Sequence, residues 1–135
     1  MTISTDIFIH DLILNFPEIK DKVLDEDYLG LFSQQIGCFR EFTQKAIDNN
    51  DINLALKCFK FVAEYLPKVI FEVENSLVIS WMTKLDFSKN KSLEKLLPPD
   101  FIKIRKQFED HYTNQSANEK INAFLRKNDL KGIKL

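Results

Sequence analysis

The chain has 135 residues, 44% of them hydrophobic and 12 of them phenylalanine, with a net charge of −1. That length suits one domain, 1–135, able to bury roughly two thirds of its unfolded surface without disulfides or metal. Only three glycines, Gly30, Gly37 and Gly132, argue against a sheet of tight hairpins and against a phosphate-cradling loop. The longest apolar-rich stretch, Val69 to Trp81, is interrupted by Glu72, Glu74 and Asn75, which excludes a membrane span.

Asp6 to Asn15 carries Ile7, Ile9, Leu12 and Leu14 and predicts a short first helix capped by Ser4 or Thr5. Pro17 stops it or opens the next turn, and Glu18 to Leu24 forms a second short helical piece before the acidic bend Asp25-Glu26-Asp27. Acids there also suit the partial positive end of the third helix, expected from about Tyr28 to Ile47. Within it Phe32, Ile36, Phe39, Phe42 and Ala46 recur at steps of three and four, the spacing of one helical face. Leu54, Cys58, Val62 and Leu66 repeat the pattern after the polar knot Asp48-Asn49-Asn50-Asp51, so the two helices pack as an antiparallel hairpin. Asp51 is the expected N-cap of the second of them.

Pro67 suits the first turn of a fifth helix, which Val69, Ile70, Val73, Leu77, Val78, Trp81 and Leu85 extend to about Leu85. A short helix over Ser92 to Leu97 closes at Pro98-Pro99. Phe101, Ile104, Phe108 and Tyr112 mark another, with Lys103, Arg105 and Lys106 off its stripe. Ser116-Ala-Asn-Glu119 has the capping-box pattern and opens a last helix through Ile121, Phe124 and Leu125. The expected fold is therefore all-α: a bundle or short stack of antiparallel helical hairpins, with seven to eight helices. The expected core is Phe32, Ile36, Phe39, Phe42, Cys58, Val62, Leu66, Leu77, Trp81, Ile104 and Phe108.

No cluster announces chemistry. His10 and His111 have no Cys, Asp or Glu at zinc-ligand spacing; on a helix Asp11 projects away from His10, and Asp110 from His111. Glu-x-x-His, Gly-x-x-x-x-Gly-Lys, Gly-x-Gly-x-x-Gly and Gly-x-Ser-x-Gly are all missing from the sequence. Cys38 and Cys58 read as small buried thiols of a reducing cytosol. The opening Met1-Thr-Ile-Ser-Thr-Asp lacks the basic and apolar regions of a secretory signal, which also points to the cytoplasm. The expectation is a protein with no catalytic, cofactor-binding or metal-binding residues.

Charge is unevenly placed: residues 1–87 hold 14 acids and 8 bases, whereas 88–135 hold 6 acids and 11 bases. Basic runs such as Lys103-Ile-Arg-Lys106 raise nucleic-acid binding as one option, against which stands the slightly negative total.

The segments Tyr28-Leu-Gly-Leu-Phe, Cys38-Phe-Arg-Glu-Phe-Thr-Gln, Asp51-Ile-Asn-Leu-Ala-Leu-Lys-Cys-Phe-Lys-Phe-Val-Ala-Glu-Tyr-Leu, Val73-Glu-Asn-Ser-Leu-Val-Ile-Ser-Trp and Leu96-Leu-Pro-Pro carry a resemblance over residues 28–112. They resemble a group of small bacterial all-α proteins, a style that recurs among cytosolic immunity proteins of secreted toxins, including contact-dependent growth inhibition systems. The resemblance implies a protein that binds and neutralises a cognate toxin, a nuclease being one option; the alternative is a non-catalytic cytosolic protein-interaction module. A toxin with a basic substrate groove would be met by acids, and the candidates are Asp21, Asp25, Glu26 and Asp27, with Glu72 and Glu74.

Overall fold

Chain segments that cannot hydrogen-bond to a sheet partner must satisfy their backbone internally, and here they do so almost entirely as helices. The computed structural model describes residues 2–110. The chain divides into two compact units, Met1–Ile102 and Lys103–Leu135. Of the second, residues 103–110 are described and are helical. His111, Tyr112, the capping box at Ser116 and the helix expected through Ile121, Phe124 and Leu125 lie outside the described residues.

The first unit comprises α1 (Thr5–Asn15), a 3₁₀ turn and α2 (Lys20–Val23), α3 (Phe32–Asp48), α4 (Ile52–Tyr65), α5 (Phe71–Ser76), a π-helical segment Leu77–Met82 and α6 (Lys91–Glu94). Residues 99–110 are also helical, 99–102 of them in this unit. Among the described residues the fold is all-α, with seven α-helical segments and no strand beyond one isolated bridge.

The caps explain the boundaries. Ser4 Oγ accepts from the Ile7 amide at 3.4 Å to start α1, and Asp51 Oδ1 accepts from Leu54 at 3.3 Å to start α4. Between α3 and α4, Asn50 adopts φ 56° while the Asp51 and Asn50 amides bond back to the carbonyls of Ala46 and Ile47. That is the left-handed helix ending that asparagine tolerates, and it folds α4 back along α3.

The third and fifth helices depart from expectation. The third helix begins at Phe32 rather than Tyr28, because Asp25 Oδ1 takes the Asp27 amide and Gly30 turns at φ 80°. The fifth begins at Phe71, because Val69 is extended and pairs in parallel with Ile3: Ile3 N–H donates to Lys68 at 2.7 Å and Ile70 N–H to Ile3 at 3.0 Å. It then widens into the π segment, where Thr83 N–H bonds to Val78, five residues back. The wider turn lets residues four and five apart share a face, so Leu77, Trp81 and Met82 are all buried.

The core is aromatic. Phe39 stacks on Trp81, with centroids 5.7 Å apart and planes 9° from parallel. Phe16 and Phe61 meet Phe39, and Phe59 and Phe101 present edges to Trp81. Ile36, Cys58, Val62 and Leu77 are buried as expected, whereas Phe32, Phe42, Leu66, Ile104 and Phe108 are half-buried. One polar group joins the apolar ones: the buried Thr43 hydroxyl donates to the Phe39 carbonyl at 2.9 Å and accepts from Trp81 Nε1 at 3.0 Å.

Two substitutions test this packing by urea denaturation. Phe39→Ala is expected to destabilise by about 3–5 kcal/mol through lost transfer energy and a residual cavity. Thr43→Val keeps the volume but strands the indole N–H, and is expected to cost about 1–3 kcal/mol.

Candidate functional site

A carboxylate keeps its hydration unless a partner replaces it, so acids left outside a core are available for recognition. All six candidate acids, Asp21, Asp25, Glu26, Asp27, Glu72 and Glu74, are exposed. None is joined to a base by an ion pair among the described residues. Asp21 lies on α2, and Asp25, Glu26 and Asp27 share the bend that follows it. Glu72 and Glu74 lie on α5, on either side of buried Val73. The Ser33 and Ser76 hydroxyls are 3.4 Å apart, so the first turn of α3 meets the end of α5.

The bend is tied down rather than loose. Asp25 holds three amides: Asp27 on its carboxylate at 2.9 Å, and Tyr28 and Leu29 on its carbonyl at 2.9 and 3.1 Å. Leu31 N–H donates to Tyr28, and the Leu31 carbonyl in turn receives Gln34 and Gln35 at the start of α3. Below it, buried Gln35 Nε2 donates to the Val23 carbonyl at 3.1 Å, and Lys22 Nζ bonds Glu41 at 2.6 Å. That bond raises the Lys22 pKa and lowers that of Glu41. The last turn of α2 is thereby attached to α3 through two side chains.

A second polar group sits between α1 and α4, and sequence reasoning missed it. Tyr65 Oη donates to Asp11 Oδ2 at 2.8 Å, while Asp11 Oδ1 lies 3.4 Å from His10 Nδ1. Helical spacing alone predicts that Asp11 and His10 diverge; adjacent side chains on a helix can still meet when both lean over the same turn. Burial first, then the hydrogen bond to Asp11 and its charge, push the Tyr65 phenol up to about 12. His10 remains solvent-exposed.

The two cysteines are free and buried, as expected. Burial pushes the Cys58 thiol up to about 11, partly countered by the Thr43 hydroxyl beside it; burial also raises Cys38. A thiol that resists ionisation is a poor nucleophile and metal ligand at neutral pH. Among the described residues no group of three or more His, Cys, Asp or Glu side chains is placed to hold a metal ion, and no helix is long and apolar enough to cross a membrane.

The chain belongs to the family described as a domain of unknown function, DUF7674, whose model matches residues 9–113. Searches of the curated proteins and of the solved structures found no match.

The other missed feature lies in the bend itself. Leu29 and Leu31, expected to open the third helix, flank Gly30 and are 56% and 53% exposed. The signal available was a glycine between two leucines, one residue (Tyr28) after three acids, a pattern suited to a turn.

The Tyr65 bond carries a pH dependence. Its folded pKa lies above the ordinary value of about 10, so its stabilising contribution is complete below that pH and is lost as pH rises through about 12. Ultraviolet titration of the phenols should show a late-ionising component, and Tyr65→Phe should remove it.

Proposed function

We propose that this protein is a non-catalytic cytosolic immunity protein, binding a cognate toxin through its acidic N-terminal half. The observation that carries the reading is the bend Asp25-Glu26-Asp27: exposed, outside every ion pair found among the described residues, and fixed by its own hydrogen bonds. Unneutralised acids held in place favour a basic partner, since complementary charge steers encounter and an ordered loop loses little entropy on binding. The resemblance over residues 28–112 supplies the finer reading, a toxin as that partner. The buried, hard-to-ionise thiols support a scaffold role over a nucleophilic one.

Two measurements test this reading. Replacing Asp25, Glu26 and Asp27 by Asn, Gln and Asn should slow association with the product of a neighbouring toxin-like reading frame. Folding should be retained, because the amide side chain introduced by Asp25→Asn keeps an oxygen for the backbone N–H of residue 27. Surface plasmon resonance across a salt series should show the wild-type rate falling as screening shortens the reach of exposed charge to ~8 Å near physiological ionic strength. An unchanged rate and a flat salt response would remove the bend from the interface. Replacing His10 and His111 together by Gln should leave neutralisation intact, and its abolition in a folded protein would contradict a purely binding role.

A further inference from the structure

Charge steers a partner but supplies little affinity at an exposed site, where apolar anchors dominate. Three leucines bracket the acidic bend, Leu24, Leu29 and Leu31, and all three are exposed. Single exposed leucines are ordinary on protein surfaces. Three within eight residues, on a loop where the Asp27, Tyr28, Leu29 and Leu31 amides are held by internal bonds, are not explained by the fold: Leu31 serves α3 through its carbonyl, and neither Leu29 nor Leu31 packs its side chain into the core.

We propose that Leu29 and Leu31 are the anchor side chains of the partner surface, entering an apolar pocket rimmed by lysine or arginine on a basic protein. The inference rests on the protein-binding reading above and names the residues that give it affinity. Gly30, at φ 80°, turns the chain between the two leucines, and the bonds from Asp25 and Tyr28 hold that turn before any partner arrives. Asp25, Glu26 and Asp27 precede the pair in sequence, with only Tyr28 between, and form the acidic rim. That rim selects the occupant. An anionic membrane or a nucleic acid would be repelled, and a second copy joined across a two-fold axis would bring acidic bend against acidic bend. A basic protein surface with an apolar pocket satisfies both the charge and the leucines.

The test uses the full chain in its native host with the photo-crosslinker p-benzoylphenylalanine in place of Leu29, and in place of exposed Leu14 or Leu96 as controls. The expected result is an adduct from position 29, absent from the controls, with a protein of net positive charge. That protein, purified, should dissociate about tenfold faster or more from the Leu29→Ser, Leu31→Ser double variant than from wild type. Circular dichroism should show the variant folded; if it is not, Leu29→Lys alone serves, placing a cation against the proposed basic rim. Adducts confined to Leu14 or Leu96 would overturn the leucine anchor while leaving a protein-binding role standing. An adduct from position 29 with a second copy, a nucleic acid or an acidic protein would overturn the proposed partner chemistry. No adduct from any position would overturn both.

Discussion

The aromatic core is joined by one buried hydroxyl. Thr43 donates to Phe39, four residues back on α3, and receives the indole N–H of Trp81, which is fully buried. An indole placed there without an acceptor would carry the desolvation cost of its N–H, so Thr43 supports the stack of Trp81 on Phe39. The same contact reaches into the π segment, where Trp81 sits. The wider turn brings Leu77, Trp81 and Met82 inward together, and Trp81 then stacks on Phe39 while bonding to Thr43.

With the middle of α3 committed to packing, the turn ahead of it, Asp25 to Leu31, lies largely exposed. Gln35 grips the Val23 carbonyl, Lys22 pairs with Glu41, and the turn from Asp25 to Leu31 is held by the amides of Asp27, Tyr28, Leu29 and Leu31. One helix therefore presents two unlike regions, an aromatic interior around Phe39 and Thr43 and an acidic, leucine-bearing turn ahead of Phe32. A recognition surface gains from this division, because a loop docked on a close-packed core keeps its shape before and after binding.

Much of the frame was legible in the amino-acid pattern. The α3–α4 hairpin follows from apolar residues at steps of three and four, and Asp51 and Ser4 act as the caps that their short oxygen-bearing side chains predict. The exposure of the candidate acids was legible too, since an unpaired carboxylate stays in water. What escaped were long-range and context-dependent choices. The pairing of Ile3 with Val69 delays α5 to Phe71 and joins positions 66 residues apart in number, 69 less 3, which no local periodicity encodes. The burial of Met82 follows from a π turn, whose spacing of four and five lies outside the helical template. Leu29 and Leu31 were hidden for a simpler reason: an anchor leucine and a core leucine are the same side chain, and only the turn at Gly30 separates them.

The central claim is that the segment from Asp25 to Leu31 is a stiff, exposed recognition turn rather than a loose connection. Backbone ¹⁵N relaxation measures this directly in the free protein. The account predicts order parameters for residues 25–31 matching those of α3, near the ~0.85 of rigid backbone. Values below about 0.6 across the turn would describe a flexible linker and contradict the claim.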